Sequence, residues 1–375
     1  MIKGESDDSY NNLITSVSNQ INSLYNDYIT KLYEYNNSTS EALDAMEEDN
    51  KVKATFFCLV RESEIDSLLP TIRTIQTRFN NKFGYPWIFV SDEEFSDNFK
   101  EIIRDKIPQN VSFGVIPKEH WSYPDWIDQK KAEEIRNDKS MSGIPYFNSE
   151  SYRHMCRYES GFFYRHPLLN GYEYYWRVEP DTQIFCDLDY DVFQWMKDND
   201  KKYGFTLTMR EFPATIPSLW SSTQTFLKEN PQYIAEDNLL NFISNDEGKT
   251  YNMCHFWTNF EIAAIDFWES EAYSKYFEFL DHNGGFFYER WGDAPVHSIA
   301  VSYFLNKDKI HFFQEIGYYH KPNLNCPYDI DIWKHYNCSC IRQNDFTHRK
   351  YSCGNRYFDV QGLRKPDGWD KMAAI

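Results

Sequence analysis

Two carboxylates, Glu179 and Asp181, flank Pro180 at the end of the aromatic run Tyr172-Glu173-Tyr174-Tyr175-Trp176-Arg177-Val178. Aromatic and β-branched side chains favour a strand, and a proline stops its ladder pairing. Two hard oxygen donors would then stand at a strand's carboxyl end, where open α/β sheets bind ligands and a divalent cation can hold a phosphate. Solvated acids at an ordinary strand exit fit the same pattern. Over 151–158, Arg153 and Arg157 share one helix face, from which guanidinium groups can grip phosphate or carboxylate bidentately. Farther on, His255 and Glu261 bracket the apolar, aromatic segment around Trp257. Such a wall disfavours a charged carboxylate unless a hydrogen bond or cation compensates, so Glu261 is a candidate acid, base or nucleophile, with a capping or salt-bridged glutamate as the alternative. Asp293 follows a glycine-flexible loop and is placed to cap a helix that Pro295 opens, within reach of a ligand. His320 follows the last predicted strand, and a neutral imidazole beside carboxylate oxygens makes a mixed site suited to manganese.

The elements that must position these residues follow from periodicity. A continuous apolar run at 53–60 has the character of a buried parallel strand. Ser63 is placed to cap a helix in which Leu68, Leu69, Ile72, Ile75 and Phe79 recur at helical spacing. A strand at 87–90, a helix at 92–107 and a strand at 111–116 complete βαβαβ, the nucleotide-binding half of a Rossmann-like sheet. No Gly-x-Gly-x-x-Gly follows the first strand and no Gly-Lys-Ser/Thr occurs, which argues against dinucleotide oxidoreductases and P-loop NTPases. Downstream, the pattern predicts helices at 151–164, 216–226, 273–280 and 294–305. Strands are expected at 203–209, 254–260 and 310–313. At 9–50, Leu13, Val17, Ile21, Leu24, Tyr28 and Leu32 recur every three or four residues, as on an amphipathic helix that packs on the body or serves as a stem. The expected plan is an α/β chain: a stem-like helical segment at 1–50 and a single large domain at 51–375. Within it, 51–117 forms the nucleotide-binding half, 118–325 the metal and acceptor half, and 326–375 a cysteine-rich extension.

Lys+Arg 39 against Asp+Glu 57 leaves a net charge of -18, a field that repels nucleic acid. A phosphate-ester ligand would need a metal to supply the missing positive charge. The aromatic content of 18% offers rings that can stack on sugars. No signal peptide and no run near ~18 apolar residues is present, so the chain as written reads as soluble. Cys326, Cys338, Cys340 and Cys353 crowd the tail, which reads as a loop-rich segment stapled to the core. A zinc site with His335 or His348 is the competing reading, though paired Cys-x-x-Cys knuckles are missing. Sequons at Asn36, Asn37, Asn110 and Asn337 are permissive for a secretory protein. A nucleotide half-sheet, a carboxylate metal edge and an aromatic acceptor region together fit a transferase with a nucleoside-diphosphate donor.

Four segments carry a resemblance to a known family: 152–157 (Tyr152-Arg153-His154-Met155-Cys156-Arg157), 174–181 (ending Glu179-Pro180-Asp181), 251–257 (Tyr251-Asn252-Met253-Cys254-His255-Phe256-Trp257) and 291–298 (Trp291-Gly292-Asp293-Ala294-Pro295-Val296-His297-Ser298). In this order, from about residue 51 to Cys353, the chain resembles the fungal Kre2/Mnt1 (KTR) family of α-1,2-mannosyltransferases, glycosyltransferase family 15. The resemblance implies a GT-A fold, GDP-mannose as donor, Mn2+ as cofactor and retention of the α configuration. It also implies a mannose-terminated glycan acceptor in O- or N-linked mannan elongation, and a type II membrane protein of the Golgi lumen whose anchor is absent from this chain. The family's Glu-Pro-Asp, in place of the usual Asp-x-Asp, falls on Glu179-Pro180-Asp181. Carried over, Glu179 and His320 are metal ligands, Tyr152 and Asp293 flank the reacting mannose, and Glu261 matches the carboxylate proposed as nucleophile. Arg157, Arg177, Asp181, His255 and Trp257 join Tyr152 and Asp293 as substrate-binding residues. A double displacement through Glu261 and a front-face reaction without a nucleophile both stay open.

Overall fold

The computed structural model describes residues 51–374. The amphipathic pattern at 9–50 and the sequons at Asn36 and Asn37 lie outside the described residues. From Val52 onward the chain is one compact unit. Strands β1 (Ala54–Leu59), β2 (Trp87–Ser91) and β3 (Val111–Val115) run parallel, connected through α1 (Ile65–Ile75) and α2 (Asp97–Lys106). This is the βαβαβ half expected from the apolar runs. On the other side of β1, β4 (Tyr174–Arg177) pairs in parallel. Then come β5 (Thr182–Ile184), β6 (Tyr203–Phe205), β7 (Thr208–Arg210), β8 (Cys254–Phe256), β9 (Glu261–Ala264), β10 (Ile310–Phe312), β11 (Tyr318–His320) and β12 (Asn323–Leu324). The main sheet has seven strands in the order β10-β6-β9-β4-β1-β2-β3. Only β9 runs against its neighbours, β4 and β6. The result is a mixed, GT-A-type Rossmann-like sheet.

Strand alternation divides the core into two layers. Phe56, Cys58, Trp87, Phe89, Tyr174 and Trp176 pack with Leu68, Ile72 and Ile75 of α1 and Phe99 and Ile103 of α2. Phe57, Ile88, Val90, Tyr175 and Ala263 face the opposite layer. That layer holds α3 (Glu150–Gly161), α5 (Glu271–Asn283) and α6 (Asp293–Phe304), while α4 (Leu219–Glu229) packs beside α5. Helix α3 starts where Ser149 accepts a hydrogen bond from the Tyr152 amide, and it ends close against α5. Gly161 permits that approach, because a Cβ there would lie 2.0 Å from the Phe277 ring. By the same alternation, Arg177 on β4 and its register partner Glu261 on β9 point toward α3 and α6.

Several sequence expectations are corrected here. Ser63 caps nothing: it sits inside a 3-10 turn, Glu62–Glu64, that leads directly into α1. The predicted strand at 203–209 is two strands in different sheets, β6 in the main sheet and β7 paired with β8. The predicted strand at 254–260 ends at Phe256, and the chain re-enters the main sheet as β9 only at Glu261. Both misreadings share a cause, since short apolar segments do not reveal where a chain changes sheets. Asp293 does not cap α6 either; Gly292 is the N-cap and Asp293 the first helical residue, with its carboxylate directed elsewhere.

The tail is bound as a stapled segment. Cys186–Cys338 and Cys254–Cys353 tie it to the sheet region, and Cys326–Cys340 closes a loop within it. All four tail cysteines are thereby oxidised, which removes the thiolates that the zinc reading with His335 or His348 required. Among the described residues no helix is long and apolar enough to cross a membrane.

Candidate active site

Arg177 organises the carboxyl edge of the sheet. It is the last residue of β4, and its side chain enters the layer between α3 and α6 at only 5% exposure. Its Nη1 donates to Asp293 Oδ2 at 2.6 Å, its Nη2 donates to Glu179 Oε1 at 2.6 Å, and Glu159 Oε2 of α3 lies 3.8 Å from Nη1. Three acids on three elements thus converge on one guanidinium. Burial works against the Arg177 charge, but the surrounding carboxylates, Glu159 and Asp293 foremost, hold its pKa well above the usual value. Burial is the largest single influence on Asp293 and opposes its ionisation, yet Arg177, His297 and a 2.7 Å hydrogen bond from Thr258 Oγ1 together keep the carboxyl below its usual range. Glu159 has no such direct bond. Burial pushes its pKa up to about 8, against the pull of Arg177.

Glu261 takes the second of the two settings the sequence allowed, that of a glutamate held by partners inside the fold. It is fully buried in β9, and its carboxylate accepts from Tyr175 OH at 2.8 Å and Tyr203 OH at 2.9 Å. Nδ1 of His297 lies 2.8 Å from its Oε1. On the other side of that ring, Nε2 is 3.0 Å from the Glu159 carbonyl, which can only accept, so Nε2 carries a proton. One more proton must then lie in the Glu261–His297 contact. With both oxygens engaged and no exposed surface, Glu261 presents no free face to a sugar. It braces β9, β4 and α6 against one another instead.

The Glu-Pro-Asp turn also departs from a simple pair of acids on one strand face. The chain leaves β4 after Arg177, and Thr182 Oγ1 donates to the Glu179 carbonyl at 2.7 Å. Asp181 adopts a left-handed φ of 62° and is exposed, whereas the Glu179 side chain is 28% exposed beside Arg177. Beyond the turn, β5 pairs antiparallel with β11, setting His320 opposite Thr182. His320 Nδ1 is buried without a hydrogen-bond partner, and its ring meets the Trp257 ring edge-on at 4.9 Å. A buried imidazole nitrogen without a hydrogen-bond partner is chemically suited to manganese, and Glu179, three residues before the register partner of His320, could supply an oxygen beside it. Among the described residues no cluster of three or more His, Cys, Asp or Glu could hold a metal alone, so substrate oxygens and water would have to complete the shell.

The remaining predicted residues divide. Tyr152 lies one helical turn into α3, stacked on Tyr146 at 4.9 Å, with the Arg290 guanidinium 5.2 Å from its ring centroid. His255, on β8, is buried with an unpartnered Nδ1, and burial lowers its pKa. Arg157 is removed from the phosphate-gripping role: its Nε and Nη2 close on Asp281 of α5 at 2.7 and 2.8 Å, in a pair that is buried on both sides. Arg153 is likewise committed, bonding the carbonyls of Glu289 and Ser149. The residues that sequence reasoning missed are Glu159, Thr258 and the Tyr175, Tyr203 and His297 partners of Glu261. Glu159 stands among Arg157, Tyr158 and Ser160, and no local sequence pattern marked it.

The family described as glycolipid 2-alpha-mannosyltransferase, glycosyltransferase family 15, matches residues 9–362. The chain belongs to this family. Among family 15 relatives, glycolipid 2-alpha-mannosyltransferase 1 of Candida albicans is 55% identical over 326 residues, covering 87% of this chain and 76% of that protein. The glycolipid 2-alpha-mannosyltransferase of Saccharomyces cerevisiae is 56% identical over 322 residues, 86% of this chain and 73% of its own length. Core-mannan synthase A of Aspergillus fumigatus, solved in an Mn/GDP form, is similar in structure with a TM-score of 0.79 at 39% identity, over 84% of this chain and 87% of that one. The S. cerevisiae mannosyltransferase Ktr4p, solved in complex with GDP, reaches the same TM-score at the same identity, over 84% of this chain and 83% of its own. As a family 15 member the chain is a glycosyltransferase of the mannosyltransferase class.

Proposed function

We propose that this chain is a manganese-dependent, retaining α-1,2-mannosyltransferase that transfers mannose from GDP-mannose to a mannose-terminated glycan during mannan elongation in the Golgi lumen. The observation that carries the proposal is the pair of hydrogen bonds that Arg177 donates, one to Glu179 at the turn and one to Asp293 at the start of α6, fixing the two acids in one rigid relation. Glu179 and His320 would hold the metal. When bound, manganese neutralises the departing diphosphate.

The other roles belong to the chain's own groups. Asp293, kept ionised by Arg177, has an oxygen free of the Arg177 and Thr258 bonds, able to accept a hydrogen bond from an acceptor hydroxyl and orient it. Tyr152 lines the same region, and its ring is held between Tyr146 and Arg290. Because Glu261 is enclosed by Tyr175, Tyr203 and His297, the front-face route is favoured, with the acceptor proton passing to the leaving diphosphate. Three disulfides among the described residues suit an oxidising, secretory compartment. The Mn/GDP form of the A. fumigatus relative supports the choice of metal and nucleotide.

Calorimetric titration of GDP with and without manganese tests the proposal. Metal-dependent binding is expected, abolished by chelation and by Glu179→Gln. Failure to bind GDP in either condition would sink the transferase reading and favour a glycan-binding protein without turnover.

A further inference from the structure

Two aromatic rings beside the site stand open to solvent. Tyr146 is 65% exposed and Phe212 50% exposed, although rings of this size are ordinarily covered. A short run of contacts joins them to the acceptor side of the site. One face of Tyr146 stacks on Tyr152 at 4.9 Å with the planes 10° apart, leaving the other face open. Arg290 stands over Tyr152, and its Nη2 is 3.4 Å from Glu211 Oε1. That same oxygen accepts from the Phe212 amide at 2.7 Å, so Phe212 is anchored by its backbone while its ring is left outside. Glu211 in turn lies against the residue before Asp293, since a Cβ on Gly292 would come 3.6 Å from Glu211 Oε2.

Two further observations point to a ligand. Arg290 is 4% exposed, yet its Nε donor is buried without an acceptor. Tyr146 holds a left-handed φ of 57°, a conformation that L side chains adopt at a cost and that recurs at ligand clamps. Exposed ring faces bordered by a carboxylate and a guanidinium match a pyranose, whose C–H face stacks on an aromatic ring while its hydroxyls bond the polar rim.

Resting on the transferase reading above, we infer that Tyr146 and Phe212 form a platform for the second and later sugars of an α-linked oligomannoside acceptor, outside the position of the sugar that reacts. The platform gives longer acceptors their advantage. It contributes nothing to a single mannose.

The test compares kcat/KM for methyl α-mannoside and for α-1,2-mannotriose, with GDP-mannose and manganese, in the wild type, Phe212→Ala and Tyr146→Ala. The wild type should prefer the trisaccharide, each variant should lose about tenfold more on it than on methyl α-mannoside, and Phe212→Ala should stay within about twofold on methyl α-mannoside. Phe212→Ala changes an exposed side chain, so its melting temperature should match the wild type and serve as the control for folding. Equal losses on both acceptors would assign these residues to the reacting sugar and overturn the inference, as would an unchanged rate with mannotriose. A wild type that turns over methyl α-mannoside but does not prefer mannotriose overturns the platform alone. A wild type inactive on both overturns the transferase reading and the platform with it.

Discussion

Arg157 and Arg177 are almost equally buried, at 3% and 5% exposure, and each is held by carboxylates at hydrogen-bond distance. Their surroundings differ in charge balance. Arg157 meets one acid, Asp281, through two parallel bonds, and both partners are inside. Arg177 divides its nitrogens between Glu179 and Asp293, has Glu159 and Glu261 close by, and touches solvent through the partly exposed Glu179. The first arrangement is electrically closed and fastens α3 to α5. The second carries surplus negative charge at an edge that a cation can reach, and closure requires that cation. Burial of an arginine with an acid does not mark a reactive site; an unbalanced charge at an opening does.

The strongest way to break this comparison is Arg177→Gln. It leaves Glu179 and Asp293 without their shared donor, so kcat/KM should fall by about 10³, and metal-dependent GDP binding should weaken. A variant that kept within tenfold of the wild-type rate would reduce Arg177 to the standing of Arg157. Asp281→Ala probes the closed pair from the other side. It should cost about 3–5 kcal/mol in urea unfolding by stranding the buried Arg157 charge, while the folded fraction keeps its kcat/KM. A lower kcat at unchanged stability would instead bring Arg157 into the site.

Glu261→Gln sharpens the boundary between the two kinds of residue. As a brace it should lower kcat by roughly ten- to a hundredfold and leave KM nearly unchanged, and it should restore most of the rate lost in Glu261→Ala. Complete loss in the isosteric variant, or a trapped mannosyl adduct on the wild type, would return Glu261 to the role of nucleophile. The smallest effect concerns Glu159. Burial raises its pKa from 4.5 to about 8, so between those values the folded chain holds a proton that the unfolded chain has released. Its contribution to stability is therefore lost as pH rises through that window. Asp345, pushed up by burial to about 6, acts in the same sense lower down, so the urea midpoint should be followed from about pH 6.5 to 8. Glu159→Gln should flatten the decline there. An unaltered slope would mean that Glu159 is already ionised beside Arg177.

The nucleotide half was legible because parallel strands buried on both faces must be apolar throughout, and helices between them must repeat every three or four residues. Lys53 to Val60 and Trp87 to Val90 follow that rule, Val111 to Ile116 is a partly buried edge strand, and the observed strands lie within a residue or two of all three runs. The second half was less legible. Its strands are two to four residues long, and the chain moves between two sheets within 203–210 and again within 254–264. Nothing local distinguishes a strand that continues from one that crosses to another sheet.

By itself, then, the sequence determined the βαβαβ start, the carboxylate turn and a set of polar residues in family order, because each is a property of residue type and short-range spacing. Tertiary structure decided which of those residues are free to act. Arg157 and Arg177 look alike in sequence, and Glu261 looks as available as Glu179. Only the pairing of β4 with β9, which sets Arg177 opposite Glu261, and of β5 with β11, which carries His320 to the turn, separates them. Those pairings join residues 84 and 138 positions apart. Whether a charge is matched, stranded or exposed depends on such distant partners, and a linear pattern contains no record of them.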